Sequence, residues 1–107
     1  MVDSEITGIV RQYIAALSEL GIRASGVVVF GSFARGDNNE YSDIDLIVIA
    51  PEFDVPFTRE TVEQLWKARL KADIRIEPIP CGEREWETEE GRPILEIARN
   101  EGVRIAS

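Results

Sequence analysis

The sequence contains no histidine and only one cysteine, Cys81. The missing histidine excludes Ser-His-Asp and Cys-His catalysis, histidine-ligated zinc and any acid–base step on an imidazole. A single cysteine excludes a disulfide within the chain and fits a reducing compartment. The chemistry of this protein must therefore come from carboxylates, hydroxyls, arginines or a bound metal.

Basic residues and long apolar runs are also scarce. The chain has 12 Lys and Arg against 20 Asp and Glu, a net charge of −8. Binding to nucleic-acid phosphates or to an anionic membrane surface requires clustered cations, so we expect neither. No apolar stretch approaches the roughly 20 residues that span a bilayer. The first residues lack the basic and apolar segments of a signal peptide, and we expect a cytoplasmic protein.

The residues that are present suffice for one globular domain over 1–107. The 107 residues are 44% hydrophobic and 30% charged, which is typical of a chain with a buried core. Apolar positions from Ile6 to Leu20 repeat at helical spacing, with Asp3 or Ser4 as the N-cap and Gly21 as the stop. Further helices are predicted after Thr58 and after Pro93, and strands over 27–30, 44–50, 73–79 and 103–105, while 34–41 and 82–90 are interpreted as connections.

The order of these elements predicts the sheet. The first two strands are joined by a turn-rich loop without a long helix, which favours antiparallel pairing, whereas a helix separates the second strand from the third and favours parallel pairing. The expected fold class is α/β with α+β character: a small mixed sheet flanked by helices. Trp66 and Cys81 are expected in the core, and Trp86 either covers the sheet or contacts a partner.

This topology brings polar residues to one edge of the sheet. Gly31-Ser32 ends the first strand, Asp43 and Asp45 begin the second on one face, and Asp73 begins the third. Clustered carboxylates raise one another's pKa unless a cation neutralises them, and Mg²⁺ prefers such oxygen ligands. Backbone N–H groups and a hydroxyl at Gly31-Ser32 suit the phosphates of a nucleoside triphosphate. Together these features predict nucleotidyl transfer assisted by two metal ions.

Two other interpretations of these side chains stay open. Asp73 can instead be a strand residue paired with Arg75, and Glu77 is then the alternative third carboxylate, although it lies a pleat further from the edge. Arg35 can assist a phosphate or an acceptor, or it can form a surface ion pair with Asp37 or Glu40.

The stretch GSFARGDNNEYSDIDLIVI, residues 31–49, carries the pattern GSx₁₀DxD. It resembles the minimal nucleotidyltransferase group of the DNA-polymerase-β-like superfamily, specifically the antitoxin type. The resemblance implies the nucleotidyltransferase fold, two Mg²⁺ ions held by Asp43, Asp45 and Asp73, and ATP as the nucleotide donor. It also implies that Gly31 and Ser32, with Arg35 as a further candidate, contact the triphosphate.

The same resemblance implies a protein partner. Members of the group are often encoded beside a HEPN-type ribonuclease toxin and transfer AMP to a hydroxyl of that toxin. Two alternatives stay open: an antitoxin that neutralises its toxin by binding alone, and a transferase that acts on a small-molecule acceptor.

Overall fold

The computed structural model describes residues 2–88 and 91–105 and contains a four-stranded mixed sheet with strand order β3-β2-β1-β4. In the described chain the elements are α1 (Ser4–Glu19), β1 (Gly26–Phe30), α2 (Ser32–Arg35), β2 (Ile44–Ile49), α3 (Arg59–Ala68), β3 (Ile76–Cys81), α4 (Glu83–Glu87), α5 (Pro93–Glu101) and β4 (Val103–Ile105). Short 3₁₀ turns follow β2 and α3. The predicted fold class, a mixed sheet flanked by helices, is confirmed.

The pairing of the strands also agrees with the sequence prediction. β1 is antiparallel to β2 and to β4, whereas β2 and β3 are parallel. Helix α1 begins where the sequence indicates, because the Asp3 side chain accepts a hydrogen bond from the Ile6 N–H at 2.9 Å. Just beyond its end, Gly21 adopts the predicted left-handed conformation, with φ of 88°.

Each face of the sheet has its own apolar core. On one face, α1 and α3 pack against alternate strand residues, and the buried Tyr13 hydroxyl of α1 donates to the Leu65 carbonyl of α3 at 2.7 Å. On the other face, Leu95 and Ala98 of α5 pack with Ile47, Ile49 and Cys81. Residues of β2 with odd numbers therefore face α5, and those with even numbers face α1 and α3.

The two tryptophans and the cysteine have different surroundings. Cys81 is fully buried, as predicted, and Trp86 of α4 covers the α5 face of the sheet under the guanidinium of Arg99. The prediction that Trp66 is a core residue is wrong, because its side chain is 40% exposed and lies under the guanidinium of Arg69.

The third strand differs most from the prediction. It begins at Ile76 instead of residue 73, and it continues through Pro78 and Pro80 to Cys81, beyond the predicted end at residue 79. The carbonyls of Arg75 and Cys81 accept hydrogen bonds from Ile44 of β2 and from Ala50, the residue after β2. Because the direction of the backbone groups alternates along a strand, those of the even-numbered residues point to the open side of β3, which is an edge strand. Pro78 and Pro80 occupy such positions, where a missing N–H costs no hydrogen bond within the sheet.

Two predicted connections contain short helices. Helix α2 starts just after β1 and ends inside the predicted connection 34–41. Helix α4 lies inside the predicted connection 82–90. Both helices are about one turn long, too short for a hydrophobic period to mark them. Glu89 and Glu90, in the second connection, lie outside the described residues. Among the described helices, none is long and apolar enough to cross a membrane.

Candidate active site

The site lies where β1 ends and β2 begins. Antiparallel pairing sets Phe30 opposite Asp45, so the next residue, Gly31, passes close to the Asp45 side chain. Gly31 has φ of 76° and ψ of −152°, a conformation essentially reserved for glycine. A Cβ added to Gly31 would collide with the Asp45 carboxylate. Glycine is therefore required here both for the turn and for the approach of the backbone to a carboxylate.

Asp43 and Asp45 lie at the start of β2 on the face that α5 covers. The Asp43 side chain is exposed, whereas that of Asp45 is half-buried. Burial raises the pKa of Asp45, the charge of Asp43 raises it further, and the nearby Arg35 guanidinium opposes the shift. The expectation that clustered carboxylates raise one another's pKa is thus met at Asp45.

Glu77 is the third carboxylate that the fold brings to this pair. The parallel register sets Glu77 directly beside Asp45, on the same face of the sheet. Partial desolvation and then the charges of Asp43 and Asp45 raise the pKa of Glu77. The earlier expectation that Glu77 lies a pleat too far from the edge depended on a strand that begins at residue 73. Because β3 begins three residues later, Glu77 itself lies near the start of the strand.

The structure does not bring Asp73 to these carboxylates. Its side chain accepts hydrogen bonds from the Arg75 guanidinium at 2.8 and 3.0 Å and from the Arg75 backbone N–H at 2.9 Å. Arg75 in turn lies over the ring of Phe33. The bonds from the Arg75 guanidinium are the largest cause of the lowered pKa of Asp73, and the backbone bond and the charge of Arg75 lower it further. The expectation that Asp73 joins Asp43 and Asp45 at the start of the strands is therefore corrected: Glu77 lies beside Asp45, and Asp73 forms the alternative ion pair with Arg75.

The predicted phosphate contacts lie beside the carboxylates. Ser32 is half-buried and is the first residue of α2, and Arg35 is the last. Arg35 donates to Asp37 at 3.1 Å, one of the two surface partners expected for it, and to Glu101 at 2.9 Å. Glu40 does not take part in these Arg35 bonds.

Glu101 is a residue of the site that the sequence analysis missed. It ends α5, and its carboxylate also accepts a hydrogen bond from the Gly31 N–H at 2.7 Å. One signal was available: Leu95, Ala98 and Glu101 recur every three residues, so this glutamate continues the stripe that α5 turns towards the sheet.

The oxygen donors fit a magnesium site that is completed by a ligand. No group of three or more His, Cys, Asp or Glu side chains within 2–88 and 91–105 has the arrangement of a preformed metal site. Magnesium is usually held by one or two carboxylates together with substrate phosphates and water, not by a cage made of protein alone. Asp43, Asp45 and Glu77 supply such carboxylates beside the Gly31 turn. The raised pKa values of Asp45 and Glu77 reflect, besides burial, the negative charge of neighbouring carboxylates, which a cation would neutralise.

Comparison with known proteins gives consistent results. Residues 10–99 match the family described as "Nucleotidyltransferase domain". Two proteins of Methanocaldococcus jannaschii, both named "putative protein adenylyltransferase", are similar in sequence. The first is 32% identical over 77 residues, which are 70% of this chain and 78% of that protein. The second is 34% identical over 71 residues, 65% of this chain and 67% of that protein.

A solved structure supports the same fold. The crystal structure of a "putative nucleotidyltransferase" from Sulfolobus solfataricus, at 1.40 Å resolution, matches with a TM-score of 0.53 and 20% sequence identity over 82% of both chains. At this identity the similarity shows the fold alone. The family match, the two similar sequences and the GSx₁₀DxD residues at the edge of this sheet lead to one conclusion: the chain belongs to the nucleotidyltransferase family and is a nucleotidyltransferase.

Proposed function

We propose that this protein transfers AMP from ATP to a hydroxyl group of a partner protein, with Mg²⁺ as its metal. The observation that carries the proposal is the group of Asp43, Asp45 and Glu77 on one face of the sheet beside the Gly31 turn. The name "putative protein adenylyltransferase" of two similar proteins supports the adenylyl group and the protein acceptor.

In this proposal the three carboxylates hold two Mg²⁺ ions. Bound Mg²⁺ would polarise the phosphates and lower the pKa of the attacking hydroxyl. The Gly31 turn, Ser32 and Arg35 hold and orient the triphosphate. The acceptor oxygen forms a bond to the α-phosphorus, the bond from that phosphorus to the bridging oxygen of the β-phosphate breaks, and pyrophosphate leaves. The hydroxyl proton is released to solvent.

Exposed apolar side chains at the same end of the sheet favour a protein acceptor over a small molecule. Tyr41, two residues before Asp43, is 85% exposed, and Ile74, two residues before β3, is 69% exposed. Aromatic side chains are enriched where proteins contact one another, so the exposed Tyr41 close to Asp43 supports a protein acceptor. On the resemblance described above, we propose that this partner is a HEPN-type ribonuclease toxin and that the chain is its antitoxin.

Incubation with ATP labelled at the α-phosphate and with the product of the neighbouring gene tests this proposal. We expect label on the partner protein with Mg²⁺ and none with a chelator. Asp45→Asn should abolish labelling, whereas Glu63→Gln, which removes an exposed carboxylate on α3, should leave it unchanged. Binding to the partner with no label on it would instead support a non-catalytic antitoxin. Label on an added small alcohol alone would support a small-molecule acceptor.

The metal is tested separately by calorimetry. Three carboxylates without a cation repel a triphosphate, so ATP should bind with Mg²⁺ or Mn²⁺ and give little heat with a chelator. Equal affinity in both conditions would contradict the role of these carboxylates as metal ligands.

A further inference from the structure

The carboxylate of Glu101 occupies a position between two donors of the proposed triphosphate site. One of its oxygens, Oε2, accepts from the Gly31 N–H at 2.7 Å and from the Arg35 guanidinium at 2.9 Å. Both donors also belong to the residues proposed to hold the triphosphate. The chain therefore places an anion of its own where a phosphate oxygen of the nucleotide would bind.

These two contacts are the kind that hold a phosphate. A guanidinium and a backbone N–H both form short, charge-assisted hydrogen bonds with either a carboxylate or a phosphate oxygen. The Glu101 side chain is 24% exposed: its bond to Gly31 is partly buried, whereas its bond to Arg35 is open to solvent and to an incoming ligand. A nucleotide phosphate and Glu101 cannot both accept the single Gly31 N–H, and as two anions they compete for the charge of the Arg35 guanidinium.

The backbone around Glu101 is held firmly, so the side chain alone can leave. Gly102, the next residue, is packed so tightly that a Cβ there would collide with the Ala98 carbonyl and Val28. After it, Val103 and Ile105 pair with β1. Rotation of the Glu101 side chain would vacate both donors without any movement of α5 or β4, and Arg35 would stay in place through its bond to Asp37.

We propose that Glu101 is an internal competitor of the nucleotide: it satisfies Gly31 and Arg35 in the free protein and is displaced by a phosphate group when the triphosphate binds. This inference rests on the proposed function, because it takes the Gly31–Arg35 position as part of the triphosphate site. It makes Glu101 a determinant of nucleotide affinity and assigns it no part in the transfer step.

The test measures the binding of inorganic tripolyphosphate and of ATP to the full chain by calorimetry, with Mg²⁺ present. Glu101→Gln keeps the shape of the side chain and an oxygen that can accept from Gly31, but it loses the charge that pairs with Arg35. Glu101→Ala vacates both donors. Displacing an anion from a charge-assisted hydrogen bond costs the ligand about a factor of ten in affinity or more, so we expect affinity to rise at least roughly 10-fold in Glu101→Ala and by a smaller factor in Glu101→Gln. Glu96→Gln, an exposed carboxylate on the same helix, is the matched control and should leave affinity unchanged.

Two further measurements separate competition from a merely structural role. In the wild-type chain, the Gly31 amide resonance should shift when tripolyphosphate is added, because its acceptor changes. In AMP transfer, Glu101→Gln should lower the KM for ATP with kcat unchanged, the result expected when a competitor that acts on binding alone is removed.

Weaker tripolyphosphate binding in both Glu101 variants would overturn the inference, since Glu101 would then position Gly31 and Arg35 for the ligand. Unchanged affinity in both variants, or an unmoved Gly31 resonance, would overturn it as well. Failure of the proposed function is distinguishable: the protein would then transfer no AMP, while tripolyphosphate affinity would still respond to Glu101.

Discussion

Glu77→Gln and Asp73→Asn should have opposite effects on activity and on stability. Glu77 lies beside Asp45 among like charges, whereas Asp73 is bonded to Arg75. We expect Glu77→Gln to abolish AMP transfer and leave the fold intact, and Asp73→Asn to weaken the fold and preserve transfer. The contrast tests which carboxylate the fold supplies to the site.

The magnitudes follow from the surroundings of each carboxylate. The pKa of Glu77 is raised, so at neutral pH its charge is unfavourable in the folded protein, and removing it should leave stability unchanged or slightly higher. Loss of one metal-binding carboxylate should remove several kcal/mol of transition-state stabilisation, roughly a 10²–10³-fold reduction in rate.

For Asp73, the side chains of the ion pair are 17% and 36% exposed, so solvent screens part of their attraction. With the additional bond to the Arg75 N–H, we expect Asp73→Asn to lower the free energy of unfolding by about 1 kcal/mol. In a domain of this size that corresponds to a melting temperature lower by roughly 4–8 °C.

The assay combines single-turnover AMP transfer with thermal unfolding for both variants and the wild type. A Glu77→Gln protein that transfers at the wild-type rate, together with an inactive but stable Asp73→Asn protein, would refute the reasoning. That result would mean that the third strand begins closer to residue 73 in the working enzyme.

Three further predictions concern pH, a thiol and a glycine. The pKa of Asp73 is lowered in the folded protein, so its ionised carboxylate stabilises the fold at neutral pH and loses this effect as the pH falls from about 4 towards the lowered pKa. Urea unfolding should therefore show the full loss of stability in Asp73→Asn at neutral pH and no difference from the wild type at the acid end of that range. Burial raises the pKa of Cys81 to about 12, so a thiol reagent at pH 8 should label it only in denaturant, and fast labelling of the native protein would contradict this. Gly31→Ala should cost about 1–3 kcal/mol in backbone strain alone, measured by denaturant unfolding, and should also displace Asp45 and reduce ATP affinity. Wild-type stability in that variant would show that the turn tolerates a side chain.

Much of the fold is determined locally and could be predicted. The apolar stripe and the Asp3 cap define α1, Thr58 caps α3 with a bond to the Thr61 N–H, and Pro93 begins α5. A loop without a long helix between β1 and β2 and a helix between β2 and β3 predicted antiparallel and then parallel pairing, and both pairings are found in the sheet. The short helices α2 and α4 could not be predicted, since one turn shows no period.

The sequence by itself determined the chemistry of this protein: it has no histidine, Asp43 and Asp45 form a DxD pair, and ten residues separate Gly31-Ser32 from that pair. These features depend on residue types and spacing, which need no tertiary information. The tertiary structure decided which distant residues join them. The alignment of β2 with β3 sets Glu77, four residues after Asp73, beside Asp45, because neighbours in a parallel pair are set by strand alignment and not by distance along the chain. Glu101 reaches Gly31 across 70 residues, a contact that exists only because α5 packs on that face of the sheet.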